Sequence, residues 1–427
     1  MTVAVDNSRE ARVCFASYSF DPRKGGGSLQ YSRYIPGLCK RGISLEIVSG
    51  TPKATKIDLQ GSESDWMRLP IGAPLPVASL NGARFCGVRL PDHLGPERAG
   101  VYFRTLLAHC RDPESRPDVV NLLMTFSAAS LPWVRKLRRL GIPLVYSLTI
   151  APSFPKGRWK RFKKLRMLRR HFRLMDAIIV QSAAHEDWLR RIGFDNQIAV
   201  VPNGVDTARF RPPRDEGERL ALRKKLGFAP DDQVLTTIGA VTPRKGTDLV
   251  IEALRLVATR HPQARLVVIG LRSDQSNPGL ADFRQRLEDL LADPRLAGRV
   301  RFTGVVDNVD EYLQASDLYL FGSHREGFPN SVLEAMASGL PTVTTPFIGW
   351  GEDFGEPGRH YLLAKHDPQS LALAATKILE DPSLRAALAS EGCAWTREFM
   401  NPDATLDRFE TLYQQLRHSN ARSAEPR

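Results

Sequence analysis

Two glutamates eight positions apart carry the most specific chemical signal in this chain. Glu326 and Glu334 lie in residues 323–341, which read SHREGFPNSVLEAMASGLP. An apolar run ends at Gly322, and a helix pattern begins near Asn330 after a short loop. Carboxylates accept hydrogen bonds from sugar hydroxyls, and the unpaired N–H groups at a helix start suit a diphosphate. The arrangement predicts a site for a ligand with both groups, whereas either glutamate alone would more simply be a solvated surface charge.

A lysine in the same half of the chain supplies the charge that such a ligand needs. Lys245 lies in residues 242–246, TPRKG, which follow the apolar run Val234–Ala240. Its cation would neutralise a leaving diphosphate and so stabilise the transition state. That charge would replace a magnesium ion, and no Asp-x-Asp sequence stands at a predicted strand end to bind one. We therefore predict a site without a metal or other cofactor, and an exposed loop lysine is the alternative.

A run of three glycines follows the first apolar run, Val13–Ser17, and precedes a helix pattern that begins at Ser28. Glycine lets the backbone approach a ligand closely, so this loop is a candidate for ligand binding beside a helix start. A flexible turn is the other interpretation of Gly25, Gly26 and Gly27.

The elements that must position these residues follow a repeating strand–helix pattern. Short apolar runs alternate with longer helix patterns such as Ser28–Arg41, Thr247–Arg260 and Ser331–Ser338. Runs of this kind are typical of parallel strands covered on both faces, which indicates an α/β fold made of βαβ units. The predicted strands are Val13–Ser17, Ile43–Ser49, Asp118–Leu123, Pro143–Thr149, Ala177–Ser182, Ile198–Pro202, Val234–Ala240, Arg265–Gly270, Arg299–Thr303, Leu318–Gly322 and Pro341–Thr345.

The length of 427 residues and the number of apolar runs favour two domains over one sheet. We predict two Rossmann-like, doubly wound parallel-sheet domains that face each other across a cleft. The predicted segments are an N-terminal domain over residues 1–205, a C-terminal domain over 206–400, a helix over 401–418 that crosses back, and a disordered tail over 419–427. Gly50–Gly100 shows no clear pattern and is expected to form loops.

These motifs resemble those of the retaining glycosyltransferases of family 4, also called glycosyl transferases group 1, which have the GT-B fold. Glu326 and Glu334 match the family's E-x7-E motif, and Gly25–Gly27 resembles its N-terminal glycine loop. The segments Ala177–Asp206 and Gly239–Gly246 resemble its interdomain passage and its donor-phosphate segment. The resemblance extends over most of the chain.

The resemblance implies a metal-independent enzyme that transfers a hexose from a nucleotide-diphosphate sugar with retention of configuration, as in polysaccharide biosynthesis. A glycan, lipid-linked or small-molecule acceptor would enter from the N-terminal domain, and the donor would bind the C-terminal domain. Glu334 would hold the ribose, Glu326 would contact the sugar ring, and Lys245 would contact the diphosphate. The catalytic candidates are Glu326, Lys245 and Arg244, and the donor-binding candidates are Gly25, Gly26, Gly27, Lys245, Glu326, Gly327, Phe328, Asn330, Ser331, Val332, Leu333 and Glu334.

Two positions depart from the family pattern. The family commonly has an arginine after the glycine that matches Gly239, where this chain has Ala240, and Arg244 is the candidate for the missing charge. The family also often has a histidine in the strand that matches Pro143–Thr149, and this chain has none there. A non-catalytic homologue that binds nucleotide or sugar without turnover is therefore an alternative. The residues of that strand that could face the site instead are Tyr146, Ser147 and Thr149.

Composition argues against several other classes of protein. Hydrophobic residues make up 42% of the chain and charged residues 25%, an ordinary balance for a globular protein. No apolar run approaches the roughly 18 residues of a membrane-spanning helix, and the first residues do not resemble a signal peptide. The five cysteines are far apart and form no CxxC pair. We expect reduced thiols in a cytoplasmic protein.

The net charge of +13 is concentrated in one segment. Residues 156–175 read KGRWKRFKKLRMLRRHFRLM and contain ten Lys or Arg and no acid. Either the apolar stripe of this predicted helix docks on the N-terminal domain, or the helix meets an anionic membrane, and both can hold together. A nucleic-acid-binding protein is a further alternative, but no nucleic-acid motif accompanies the charge, so we expect no such partner. The stripe consists of Trp159, Phe162, Leu165, Leu168, Phe172 and Met175.

Overall fold

The chain forms two compact units in the computed structural model. One unit comprises Met1–Pro202 with Asp403–Arg427, and the other comprises Asn203–Pro402. The residues that the structure describes are 10–20, 26–50, 70–74, 78–91, 95–150 and 152–423.

The first unit is an α/β layer structure around one sheet. Its strands are β1 (Ala11–Ser17), β2 (Ile43–Gly50), β3 (Ala78–Leu80), β4 (Ala83–Val88), β5 (Val119–Leu122), β6 (Leu144–Leu148), β7 (Ala177–Val180) and β8 (Gln197–Val200). Its helices are α1 (Gly26–Lys40), α2 (Pro96–Arg111), α3 (Leu131–Arg138), α4 (Arg158–Phe172), α5 (Ala183–Arg191) and, from the end of the chain, α14 (Pro402–Ser423). Within the described residues the strand order is β3-β4-β2-β1-β5-β6-β7-β8, and only the β3–β4 pair is antiparallel.

Helices cover both faces of this sheet, as alternate side chains of β1 show. Val13 and Phe15 join a buried cluster with residues of α1 and α14, such as Leu38 and Phe409. The intervening side chains of Cys14 and Ala16 join a second cluster with residues of α2 to α5. Because both faces are buried, the middle of the strand, Val13–Ala16, is continuously apolar rather than alternating.

The second unit repeats this plan with a smaller sheet. Its strands are β9 (Gln233–Ile238), β10 (Ala264–Ile269), β11 (Val300–Gly304), β12 (Leu318–Phe321), β13 (Thr342–Thr344) and β14 (Leu362–Leu363). Its helices are α6 (Glu216–Leu226), α7 (Thr247–Val257), α8 (Ser273–Ser276), α9 (Ala281–Leu291), α10 (Val309–Ala315), α11 (Asn330–Ala337), α12 (Pro368–Glu380) and α13 (Pro382–Phe399). The described strands pair in parallel in the order β11-β10-β9-β12-β13-β14.

The predicted α/β class with two doubly wound parallel sheets is confirmed, and each predicted strand has a counterpart within two residues of its predicted ends. The expectation that Gly50–Gly100 forms only loops was wrong, because this region contains β3, β4 and the start of α2. The signal for the β3–β4 hairpin was present in the sequence. Asn81 and Gly82 connect the two strands with φ values of 52° and 98°, and Asn-Gly is the pair that such a two-residue turn favours.

The last helix is longer than predicted. The sequence predicts a helix over 401–418 and a disordered tail over 419–427, whereas α14 continues to Ser423. Residues 424–427 lie outside the described residues. Ala421 and Arg422 favour helix, and the polar composition that suggested disorder is also compatible with an exposed helix end.

A buried histidine makes the stability of the first unit sensitive to pH. The His185 side chain is 1% exposed, its Nδ1 lies 2.7 Å from Ser182 Oγ, and burial lowers its pKa to about 4. In the unfolded chain the pKa would be about 6.5, so the unfolded state binds the extra proton as the pH falls below that value. The contribution of neutral His185 to the stability of the folded state is therefore fully present above pH 6.5, and it is lost as the pH falls towards 4.

We expect His185→Gln to lose less stability on acidification than the wild type. Between about pH 7.5 and pH 5 the difference should be about 2 kcal/mol, and denaturant unfolding at each pH measures it. Two carboxyl groups titrate below this window: hydrogen bonds from Arg211 and Arg214 lower the pKa of Glu218 to about 2, and hydrogen bonds from Arg295 hold the pKa of Asp293 well below its usual value. If the wild type and His185→Gln lost the same amount of stability on acidification, His185 would not be the group responsible for the pH dependence.

Candidate active site

The frame of the candidate site is the carboxyl edge of the second sheet, where β9 and β12 are adjacent and parallel. After β9 the chain makes a 3₁₀ turn, Pro243–Lys245, and enters α7 through Gly246. Gly246 has a φ of 63°, and a Cβ atom there would lie 2.0 Å from the carbonyl oxygen of Gly322. Only glycine therefore lets this turn pack against the end of β12, which brings Lys245 beside the loop that follows β12.

That loop is held on two sides by backbone hydrogen bonds. The N–H of His324 donates to the carbonyl of Arg244 at 2.9 Å. On the other side, the N–H of Glu326 donates to the carbonyl of Ile348 at 3.0 Å, and the N–H of Ile348 donates to the carbonyl of His324 at 2.9 Å. The position of the Glu326 backbone is therefore fixed from both neighbouring segments.

Three donors converge on one oxygen of Glu326. Lys245 Nζ lies 2.8 Å from Glu326 Oε1, and Arg244 Nη1 lies 2.9 Å from the same atom. The Ser323 hydroxyl donates to it at 2.5 Å. The Glu326 residue is 8% exposed, so these contacts form largely out of water, where charge-assisted hydrogen bonds are strong.

The ionisation of Glu326 reflects these contacts. Burial by itself would raise the pKa of this carboxyl group. The charges of Lys245 and Arg244, with hydrogen bonds from Lys245 and Ser323, outweigh burial and hold the pKa below its usual value. Glu326 is therefore ionised at neutral pH and keeps both cations in place.

Arg325 adds a further cation that the sequence interpretation missed. Its side chain is half-buried, and burial and the charge of Arg244 lower its pKa. Arg244 Nη1 also donates to the Arg325 carbonyl at 2.8 Å. With Lys245, the described residues around Glu326 thus provide three cations for one carboxylate, a local excess of positive charge that suits a phosphate ligand.

The helix α11 begins directly after this loop. Pro329 precedes it and provides no side-chain cap, and the Pro329 carbonyl accepts from the N–H groups of Val332 and Leu333. The N–H groups of Asn330 and Ser331 are therefore the ones that could donate to an anion. Asn203 anchors this start, because its Nδ2 donates to the Phe328 carbonyl at 3.1 Å and to the Asn330 side-chain oxygen. The helix start is thus fixed by a residue that the sequence analysis had placed only in the segment resembling the family's interdomain passage.

The remaining predicted residues of the second unit fall into two groups. The side chains of Phe328, Val332 and Leu333 are buried in an apolar cluster, so only their backbone atoms could contact a polar ligand. Glu334 is 6% exposed on α11. Burial raises the pKa of the nearby Tyr319 side chain, and the charges of Glu334 and Glu326 raise it further.

The structure describes most, but not all, of the predicted residues of the first unit. Gly26 and Gly27 form the first residues of α1, and Gly25 lies outside the described residues. The side chains of Tyr146 and Ser147, which we considered as substitutes for a histidine, are buried in the unit. The Tyr146 ring stacks on Phe126, and the Ser147 hydroxyl donates to Asn121 in the core, while Thr149 is half-buried.

Two histidines at the rim of the second unit's site were also not anticipated. The Nε2 atoms of His324 and His366 lie 3.0 Å apart, with ring centroids separated by 3.8 Å. Burial and the charge of His324 lower the pKa of His366. Over the part of the chain that the structure describes, no three His, Cys, Asp or Glu residues group as a metal site would require.

Two family profiles match almost the whole chain. Residues 218–395 match the family described as glycosyl transferases group 1, and residues 25–209 match glycosyltransferase family 4. The lipopolysaccharide core biosynthesis mannosyltransferase LpsB of Rhizobium meliloti (strain 1021) is 30% identical over 299 residues, which cover 69% of this chain and 79% of that protein. The chain belongs to glycosyltransferase family 4. It is therefore a sugar transferase, as the motifs predicted.

Solved structures show the same fold at low sequence identity. Sucrose-phosphate synthase from Thermosynechococcus elongatus has a TM-score of 0.74 at 20% identity, over 96% of this chain and all of that one. HepE from Anabaena, in complex with UDP and glucose, has a TM-score of 0.69 at 19% identity, over 95% of this chain and all of that one. The predicted GT-B fold is thereby confirmed. Among the described residues, no helix is long and apolar enough to span a membrane.

Proposed function

We propose that this glycosyltransferase moves a hexose from a nucleotide-diphosphate sugar to an acceptor hydroxyl, with retention of configuration and without a metal ion. The observation that supports this most strongly is that Lys245 and Arg244 both form ion pairs with Glu326 beside the start of α11. A diphosphate that binds there would meet fixed cations and helix N–H donors together. The charge that a divalent ion would otherwise supply is already present in the protein.

Each group has a distinct role in this proposal. Lys245 and Arg244 neutralise the diphosphate as its bond to the anomeric carbon breaks. The acceptor hydroxyl oxygen bonds to that carbon on the same face, and its proton passes to the departing phosphate oxygen. The described residues form hydrogen bonds only with Oε1 of Glu326, so Oε2 is the oxygen that accepts from the sugar ring. Glu334 holds the ribose, and the acceptor enters over the loop of Gly25–Gly27.

The acceptor in this proposal is a glycan or a lipid-linked glycan. The similarity to a mannosyltransferase of lipopolysaccharide core synthesis supports this class, and the HepE complex with UDP and glucose supports a nucleotide-sugar donor. Peripheral contact of residues 156–175 with an anionic membrane is part of the same proposal. Neither comparison indicates which sugar this chain transfers.

A thermal-unfolding panel of nucleotide sugars tests the donor part of the proposal. A ligand that binds only the folded state stabilises it by about 2.7 kcal/mol when its free concentration is 100 times Kd. We expect one nucleotide-sugar class to raise the unfolding temperature of the wild type, with a smaller shift in Lys245→Ala. The absence of a shift with every common nucleotide sugar, at concentrations far above metabolic levels, would contradict the donor site.

Metal independence gives a separate expected result. Transfer should continue undiminished in excess EDTA, because Lys245, Arg244 and the start of α11 supply the electrostatic stabilisation. The measurement is the initial rate with and without EDTA, using the donor found in the panel. Loss of activity that magnesium or manganese restores would disprove this part of the mechanism.

A non-catalytic binding protein is the second candidate, and Ala240 in place of the family's arginine is the observation that favours it. Arg244 and Arg325 supply charge close to Glu326, which favours turnover instead. Binding of donor without transfer or slow donor hydrolysis would support the non-catalytic alternative.

A further inference from the structure

The second unit has a pocket that is separate from the candidate active site. Its volume is about 650 Å³, within the range of roughly 300–1,000 Å³ that is typical of sites for small ligands. Residues 350–360 form one wall, and residues 391–399 of α13 form the other. The described residues that line it include none of those placed around Glu326 or at the start of α11. The transfer chemistry therefore leaves this pocket unexplained.

Aromatic rings form the apolar part of this pocket. The Trp395 ring stacks on His360, with centroids 5.6 Å apart and an angle of 25° between the ring planes, and meets the buried Phe354 edge-on. These contacts hold the indole in place. The Phe399 ring lies 6.2 Å from Trp395 and is 58% exposed, so it extends the apolar surface towards solvent. A fixed aromatic surface of this kind suits a ligand with one flat apolar face.

Two of the lining side chains have N–H groups without a partner. The N–H of Glu356 donates to His360 Nδ1 at 2.8 Å, so the neutral ring carries its proton on Nε2. Burial and the charge of Arg359 lower the pKa of His360, which keeps the ring neutral at pH 7. Neither His360 Nε2 nor Trp395 Nε1 forms a hydrogen bond with the described residues, although the two residues are only 8% and 9% exposed. Donors on side chains this buried normally have a partner, so a ligand with acceptor oxygens is expected here.

Carboxylates supply acceptors in the same pocket. Glu398 is exposed and forms no hydrogen bond or ion pair with the described residues. Glu391 accepts from Arg359 Nε at 2.9 Å, and Arg359 Nη1 lies 3.9 Å from Glu356 Oε2, so one guanidinium is shared by two carboxylates. Three carboxylates and one guanidinium give the lining a net negative charge. This charge disfavours a phosphate or a nucleotide.

We propose that this pocket binds a neutral saccharide. The C–H face of a sugar ring packs on Trp395 and Phe399, its oxygens accept from His360 Nε2 and Trp395 Nε1, and a hydroxyl group donates to Glu398. A polyamine would satisfy the carboxylates but would leave both N–H donors facing a positive charge, so a neutral polyol explains the rings, the donors and the acceptors together. This inference goes beyond the proposed function, because it adds a glycan-binding site that takes no part in the transfer reaction.

Saturation-transfer NMR of the full chain with neutral trisaccharides tests the proposal. The probes are maltotriose, cellotriose, α-1,6-mannotriose and chitotriose, and tryptophan fluorescence gives Kd for each, because Trp395 lies in the pocket. We expect at least one probe to bind at millimolar concentrations, with the same Kd in the wild type and in Lys245→Ala, whose change lies in the donor site. Absence of binding by all four probes, or loss of binding in Lys245→Ala, would overturn the proposal.

Two exposed residues of the pocket provide a variant that leaves the core intact. Glu398→Ala with Phe399→Ser should raise Kd for the bound trisaccharide about tenfold, because it removes one acceptor and one aromatic face. The matched control is Glu288→Ala with Leu373→Ser, which removes an exposed carboxylate and a 71% exposed apolar side chain elsewhere on the second unit and should leave Kd unchanged. Equal Kd values in the two double variants, or binding of spermidine in place of every trisaccharide, would contradict the proposal. The thermal shift with nucleotide sugars should be the same in both, which separates this site from the donor site.

Discussion

Lys245→Ala is expected to lower the rate of sugar transfer by about 10²–10³, the effect of removing one electrostatic contact from a preorganised site. Lys245 Nζ lies 2.8 Å from Glu326 Oε1, and the packing of Gly246 against Gly322 fixes the turn that carries it. The positive charge of Lys245 is in position before negative charge develops on the leaving diphosphate. Little reorganisation of the site is therefore needed during the reaction.

Glu326→Gln should reduce transfer by a similar factor for a different reason. The amide keeps the shape of the side chain and a partner for Ser323, but it loses the charge that holds Lys245 and Arg244 together. Lys377→Ala, which removes an exposed lysine on α12, is the matched control and should leave the rate unchanged. Circular dichroism and the unfolding temperature should show that all three variants are folded. Near-wild-type turnover in both site variants would remove our assignment of the site.

Asp317→Ala is expected to destabilise the second unit by about 3–5 kcal/mol, the effect of removing one partner of a buried charge pair. Asp317 accepts hydrogen bonds from Arg219, from Arg223 at 2.5 Å and from the N–H of Val234 at 2.7 Å. The Arg223 side chain is 4% exposed, so its charge would be left buried without its carboxylate.

Glu216→Ala provides the comparison for this variant, because Glu216 pairs with Arg219 at 3.2 Å but is 66% exposed. An exposed pair of this kind contributes about 0–1 kcal/mol. Denaturant unfolding of both variants measures the difference. A decrease of less than about 1 kcal/mol in the free energy of unfolding of Asp317→Ala would contradict this expectation. It would show that water or a rearrangement solvates the charge of Arg223.

Most strands of the fold could be predicted from the sequence, because a strand buried on both faces is a run of consecutive apolar residues. Runs such as Ala177–Val180 are apolar at every position, and no knowledge of their neighbours is needed to recognise them. The β3–β4 hairpin lacks this pattern, since β3 has only three residues and β4, which reads ARFCGV, is mixed in polarity. Its Asn81–Gly82 turn was the available signal, and it was overlooked in a region dominated by Pro and Gly.

The candidate site was predictable in part. The spacing of Glu326 and Glu334 and the place of Lys245 after a strand are sequence features. The convergence of Lys245, Arg244 and Ser323 on one oxygen depends on the adjacency of β9 and β12, which local pattern does not reveal. For the same reason Arg325 was not singled out as a candidate from the sequence.

The first-formed anomer of the released sugar tests the central claim most directly. Many transferases hydrolyse their donor slowly when no acceptor is present, and proton NMR during the first turnovers distinguishes the two anomers before they equilibrate. With an α-linked nucleotide sugar and excess EDTA, our account predicts that the wild type releases the α-anomer and that Lys245→Ala releases sugar much more slowly. Release of the β-anomer, or a requirement for added metal, would contradict it.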